Sequence, residues 1–190
     1  DYALQRMTAR GVTFKLKTRL VDAQSGVVRL QPQEEIRTET LIWAAGSSPH
    51  PLVETLSAAH DPHGALLVDH CLAVPGLAGI WALGDCARVT DAKTGKACPP
   101  TAQFALREAK TLAYNLHASV HHRPLQPFHF DALGLLCVVG YQTACAEIKG
   151  RRFSGFLAWL LWRGIYLSKL PGAERKLRVL SDWILELFFP

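Results

Sequence analysis

The chain has 190 residues, 49% of them hydrophobic and 19% charged, a balance that supports a buried core and excludes a disordered chain. A formal net charge of +5 is a mild basic excess that selects no anionic partner by itself. The five cysteines (Cys71, Cys86, Cys98, Cys137, Cys145) are odd in number and widely spaced, with no C-x-x-C pair; they signal neither a disulfide framework nor a zinc site and point to a reducing compartment.

Asp1 to Arg10 reads as the last turns of a helix stopped by Gly11, and the opening on Asp1 rather than Met reads as a truncated frame. No charged segment leads into a signal-peptide core, and Arg163 and Lys169 interrupt the best candidate membrane span. Any membrane contact is therefore expected along the surface.

Val12, Phe14 and Leu16 alternate with Thr13, Lys15 and Lys17 at the two-residue period of a half-buried strand. With runs at 26–30 and 40–44 they predict a meander, which the turn Ala45-Gly46-Ser47-Ser48-Pro49 leaves. Residues 64–68 and the wholly apolar 79–83 predict two further strands, the second suited to cover on both faces and stopping at Gly84-Asp85. After a polar loop over 89–97, Pro99-Pro100-Thr101 opens a helix expected from Ala102 to about Ser119, with Thr101 as its cap. Pro124 and Pro127 frame a linker, and 135–139 with 144–148 predict a hairpin around Gly140-Tyr141-Gln142. Two apolar helices, roughly 153–170 and 174–189, are separated by Pro171-Gly172, and Phe188-Phe189-Pro190 reads as a clipped apolar end.

The most informative stretch is Gly79-Ile80-Trp81-Ala82-Leu83-Gly84-Asp85-Cys86-Ala87. A glycine at the end of an apolar strand lets a ligand approach the backbone, and the following carboxylate accepts hydrogen bonds from sugar-type hydroxyls, a combination that suits a flavin ribityl chain. Alone, the Gly-Asp pair reads first as an ordinary strand followed by an Asx turn. Its company adds weight. Trp43-Ala44-Ala45-Gly46, then Gly64 to Asp69, then Gly79 to Ala87, then Pro99-Pro100-Thr101-Ala102-Gln103-Phe104-Ala105 occur in the order and spacing that resemble two-dinucleotide-domain flavoproteins, and among them type II NADH:quinone dehydrogenases most closely.

The resemblance implies an α/β fold: a partial two-dinucleotide-binding-domain flavoprotein, with a β-meander and the remnant of an FAD domain, followed by a C-terminal hairpin and apolar amphipathic helices. Residues 1–43 would be the remnant of the NAD(H) domain, 44–123 the carboxyl-terminal part of the FAD domain, and 124–190 a membrane-anchoring or dimerisation region. FAD and NADH are the implied cofactors. Gly46 would lie where the chain returns to the FAD domain, and Asp85 would bind the ribityl or phosphate region beside Gly84. The amides of Ala102 and Gln103 would point at the isoalloxazine ring, where a positive helix end stabilises an electron-rich flavin. These dehydrogenases carry Ala-Gln-x-Ala-x-Gln at the quinone site, whereas here the segment is Ala102-Gln103-Phe104-Ala105-Leu106-Arg107. Gln103 and Arg107, four residues apart on one helical face, are the candidate quinone-side residues; an ion pair of Arg107 with Glu108 or Asp131 is the alternative.

The ending also resembles the membrane-anchoring tail of this family. Leu177, Leu180, Ile184, Leu187 and Phe188 recur at helical spacing with Trp183 nearby and Arg175, Lys176 and Arg178 at one end, as an interfacial helix requires. A pair of core helices or a homodimer interface fits the same pattern. His121, His122 and His129 read as solvated loop residues rather than metal ligands, and Cys86 and Cys137 as inert packing residues.

The implied reaction passes a hydride from NADH to FAD and two electrons on to a quinone, without proton pumping, on a peripheral protein at the cytoplasmic face of the inner membrane. No nucleic-acid partner and no metal are expected. The glycine-rich G-x-G-x-x-G turns of the superfamily are absent from these 190 residues, so the chain alone is expected to be inactive. A sulfide:quinone oxidoreductase and a non-catalytic lipid-binding or dimerisation module are the rival readings.

Overall fold

The computed structural model describes residues 1–132 and 134–189, apart from the side chains of Leu187 and Phe188. In chain order the elements are α1 (Tyr2–Thr8), β1 (Arg19–Gln24), β2 (Val27–Gln31), β3 (Glu34–Arg37), α2 (Pro51–Glu54), β4 (Leu66–Leu67), a single 3-10 turn (Gly84–Cys86), β5 (Ala87–Arg88), α3 (Ala102–Val120), β6 (Gly134–Gly140), β7 (Thr143–Ile148), β8 (Arg151–Gly155), α4 (Phe156–Lys169) and α5 (Ala173–Phe188). They form two compact units, Asp1–Leu41 with Ala132–Pro190, and Ile42–Asp131.

In the first unit, β1, β2 and β3 make the expected antiparallel meander, but with different strands. The turn around Gly26 pairs Gln24 with Val27, so the strand ahead of it runs over 19–24 rather than 12–16. A second tight turn then folds the polar segment back, pairing Glu34 with Leu30 and Val27 with Arg37. The register of a hairpin follows its turn, and here it overrides alternation. The predicted strand at 40–44 joins no ladder among the described residues; Ile42, at its centre, is 84% exposed.

The carboxyl-terminal part of this unit is a β6-β7-β8 antiparallel sheet. The expected hairpin is present, and β8 is an addition: Phe153, read as the start of a helix, pairs with Ala146, and α4 starts only after Gly155. Ala144 and Ala146 offer little side-chain bulk, so α4 packs closely on that face through Ala158 and Trp159, with Leu136, Ile148 and Phe153 around them. The Arg10 guanidinium, just beyond α1, donates to the Val139 and Tyr141 carbonyls at 3.0 and 3.2 Å and to the Thr143 hydroxyl at 3.1 Å.

Helix α5 lies against α4 through one side chain in particular. Arg163 stacks 3.9 Å from the Trp159 ring centre and 4.7 Å from that of Trp183, and pairs with Glu186. The half-buried stripe of α5 is Lys176, Val179, Trp183 and Glu186, which leaves Leu177, Leu180 and Ile184 exposed. The remaining expected apolar positions, Leu187 and Phe188, lie outside the described side chains, as does Pro190. Among the described residues, no helix is long and apolar enough to cross a membrane.

In the second unit the predicted strands shrink. Residues 64–68 yield only β4, which pairs in parallel with β5. The apolar run turns at Gly79 and is extended over 80–83, joined by one bridge, Ala73 to Trp81, with the Val74 N–H donating to the Ile80 carbonyl at 2.9 Å and the Ala82 N–H to the Leu72 carbonyl at 3.1 Å. Apolar sequence can bury a segment, but a ladder also needs a neighbouring backbone. Leu66, Val74 and Ala82 form one core cluster and Leu72, Val89, Cys98 and Phe128 another, against which α3 sets Phe104 and Leu112. Asn115, fully buried, donates to the Cys71 and Gln126 carbonyls at 2.8 and 2.9 Å and accepts the Gln126 amide at 2.8 Å. The proline-framed linker is thereby fastened to α3.

Candidate functional site

Gly84 takes a left-handed φ of 65° at the end of the extended 80–83 segment, and that turn delivers Asp85 to the surface. The Gly84 N–H donates to Oε2 of Glu108, in the second turn of α3, at 2.8 Å. A Cβ built on Gly84 would meet Ala105 Cβ at 3.5 Å, so the Gly-Asp turn packs directly beside the first turns of that helix. Ser47, next to Gly46, donates its hydroxyl to Asp85 Oδ2 at 3.1 Å. The structure thus brings Gly46, Gly84, Asp85 and the amino terminus of α3 into one neighbourhood.

Ala102 is exposed and Gln103 half-buried in the first turn of α3. Thr101 is the N-cap, as expected, but its side chain makes no capping bond; its carbonyl instead accepts the amides of Phe104 and Ala105, each at 3.0 Å. The amides of Ala102 and Gln103 precede the first intrahelical donors and carry the positive end of a 19-residue helix. The exposed Asp85 carboxylate is able to accept hydroxyl hydrogens, and these amides favour negative charge.

Arg107 does not pair with Glu108 or Asp131 among the described residues. Its guanidinium stands 5.3 Å from the centre of the Phe130 ring, and Phe130 in turn meets Phe104 edge to face at 5.2 Å. Glu108 is unsuited to an Arg107 pair because it is buried, 3% exposed, and turned to Gly84. Burial raises its carboxyl above the ordinary value, the Gly84 N–H offsets part of that rise, and the Asp85 charge adds to it.

A family model described as pyridine nucleotide-disulphide oxidoreductase matches residues 1–109. The chain belongs to this family. A model of the NDH2 C-terminal domain matches residues 133–190, so the resemblance to type II NADH dehydrogenases extends through the tail of this chain. A probable NADH dehydrogenase of Dictyostelium discoideum is 31% identical over 189 residues, 98% of this chain and 41% of that protein. A demethylphylloquinone reductase, NdbB, of Synechocystis is 31% identical over 181 residues, 94% of this chain and 45% of the relative. The chain therefore spans less than half the length of these relatives. In fold it is similar to NDH2 from Plasmodium falciparum, solved in complex with NADH, with a TM-score of 0.84 and 15% identity over 100% of this chain and 54% of that one.

Two features of this oxidoreductase-family chain escaped sequence reading. Glu108 and Asn115 share the inward stripe of α3 with Phe104 and Leu112, and a polar side chain on an apolar stripe signals a buried hydrogen bond. His129 is the exposed loop residue expected, but it also bridges Asp91 (2.7 Å) and Asp131 (3.1 Å). Asp91 also accepts the Thr94 amide and hydroxyl at 2.8 and 2.9 Å and the Phe130 amide at 3.0 Å. Burial alone would raise the Asp91 carboxyl, but these bonds outweigh it and hold it well below the usual carboxylate range. Among the described residues, no group of three or more His, Cys, Asp or Glu side chains is placed to hold a metal ion.

Proposed function

We propose that this chain forms the electron-acceptor side of an FAD-dependent NADH:quinone oxidoreductase of the type II class, acting within a longer polypeptide that supplies the glycine-rich nucleotide turns. The observation that carries this reading is the junction of the Gly84-Asp85 turn with the start of α3, tied by Glu108 and reached by Ser47. FAD fits the donor set: an exposed carboxylate for ribityl hydroxyls, a glycine beside a small alanine for close approach, and helix amides for the electron-rich ring. When bound, that group supplies two-electron exchange between a nicotinamide and a quinone.

Asp85 would orient the cofactor by accepting hydroxyl hydrogens, and the Ala102 and Gln103 amides would stabilise negative charge that develops near them. The Gln103 carboxamide and the Arg107 guanidinium, held over Phe130, would donate to quinone carbonyl oxygens. Residues 1–43 would belong to the NAD(H) domain, 44–123 to the FAD domain and 124–190 to the anchor. The exposed Leu177, Leu180 and Ile184 of α5 support peripheral contact with a lipid surface, and the same residues support a dimer contact as the alternative; the membrane we propose is the inner membrane, at its cytoplasmic face.

The test uses the full-length polypeptide. Asp85→Ala should purify with its secondary structure intact and its flavin absorbance lost, while Gln103→Ala should keep flavin and NADH-driven flavin reduction but raise the quinone KM. Full flavin occupancy in the Asp85 variant would overturn the assignment. Flotation with anionic liposomes, compared with a variant carrying Leu177→Ser, Leu180→Ser and Ile184→Ser, tests the surface contact.

A further inference from the structure

Strands β6 and β7 set Cys137 directly opposite Cys145. Residues facing each other across an antiparallel pair have Cα atoms about 4.5 or 5.5 Å apart and side chains on the same side of the sheet. Both separations fall within the roughly 4.4–6.8 Å that a disulfide spans. The side is the one away from α4, because the neighbours Leu136, Ala144 and Ala146 pack against that helix. On the free side both cysteines line one cavity of about 770 Å³ with Leu135, Glu147, Arg152 and Ser154. Cys137 is exposed and Cys145 half-buried, and both are free thiols. The Cys137 sulfur makes only a long contact, 3.8 Å, to the Val138 carbonyl.

We infer that Cys137 and Cys145 form a cross-strand dithiol site, closed to a disulfide by hydroperoxides and bridged by trivalent arsenicals. With hydrogen peroxide, one thiolate attacks an oxygen and the O–O bond breaks, giving a sulfenic acid and, after protonation of the leaving hydroxide, water. The second thiol attacks that sulfur, the S–O bond breaks and a second water leaves. The two thiols together lose two electrons and two protons, and the peroxide is reduced to two waters. With phenylarsine oxide both sulfurs bond to arsenic, and their two protons leave with its oxygen as water. Neither step depends on the flavin reading.

The experiment treats the folded chain with hydrogen peroxide, alkylates the remaining thiols, and digests with chymotrypsin, which cuts after Tyr141 between the two cysteines. The expected product is a pair of peptides, one carrying each cysteine, joined until a reductant is added. Separate peptides with each cysteine alkylated, or a bond to Cys71, Cys86 or Cys98, would overturn the proposal. Phenylarsine oxide supplies a second reading: one equivalent should bind the reduced native chain, and Cys137→Ser or Cys145→Ala should each abolish that binding. Binding that survives either variant refutes the site.

Discussion

The Glu108 carboxylate reaches from α3 to accept the Gly84 amide at 2.8 Å, tying the helix to the turn that presents Asp85. Removing the acceptor strands a part-buried N–H, so Glu108→Ala should cost about 1 kcal/mol in urea unfolding. Glu108→Gln keeps an oxygen acceptor and should stay near wild-type stability. The pH dependence separates charge from hydrogen bond. Because the folded Glu108 carboxyl is raised, mainly by burial, the folded state binds its proton more tightly than the unfolded chain. Stability should therefore fall as pH rises from about 4.3, the unfolded value, through the raised folded value. Glu108→Gln should flatten that slope; a slope equal to wild type would show that the charge lies elsewhere.

Asp91 and His129 set two opposite limbs. The lowered Asp91 carboxyl contributes stability that is present above about 3.9 and lost as pH falls toward its folded value. His129 is raised, chiefly by its bond to Asp91, so its contribution is complete below about 6.5 and lost as pH rises through the folded value. Thermal midpoints of Asp91→Asn should flatten the acid limb, and those of His129→Gln the limb above about 6.5. Asp91→Ala, which abandons the Thr94 and Phe130 amides, should lose about 2–4 kcal/mol.

Arg163 holds α5 to α4 between two indole rings. A cation over an aromatic face away from water is worth about 2 kcal/mol, and Arg163 has a side chain only 13% exposed. Arg163→Ala should release α5, read as faster amide hydrogen exchange over 173–186 with β6 to β8 still protected. Arg163→Lys should recover only part of the protection, since an ammonium stacks poorly. Equal protection in all three proteins would assign the docking to other contacts.

Gly84→Ala tests backbone conformation more than space. The added Cβ meets Ala105 at an ordinary 3.5 Å, but a φ of 65° is strained for any L side chain. The expected cost is about 1 kcal/mol, with a lowered thermal midpoint and, in the full-length polypeptide, weaker flavin retention. An unchanged midpoint would show that the turn relaxes to another conformation.

The ordered motifs carried the resemblance to the family, while helical periodicity and Gly/Pro punctuation were enough for the position of α3, the two carboxyl-terminal helices and the Gly84-Asp85 turn. Those signals are local, fixed by neighbours a few residues away. The strands were less legible because a ladder depends on a distant partner: the alternation over 12–16 lost to the register set by the Gly26 turn, and the apolar 79–83 run found one bridge instead of a sheet. β8 was hidden for the same reason, since nothing in Arg151 to Gly155 announces that Phe153 faces Ala146.

The tertiary structure alone decided the fate of the polar groups. Arg107 chose an aromatic ring over a carboxylate, Glu108 turned inward to a glycine amide, His129 became a bridge, and Cys137 met Cys145. A buried donor or acceptor must find a partner wherever the folded chain puts one, and sequence spacing does not carry that distance.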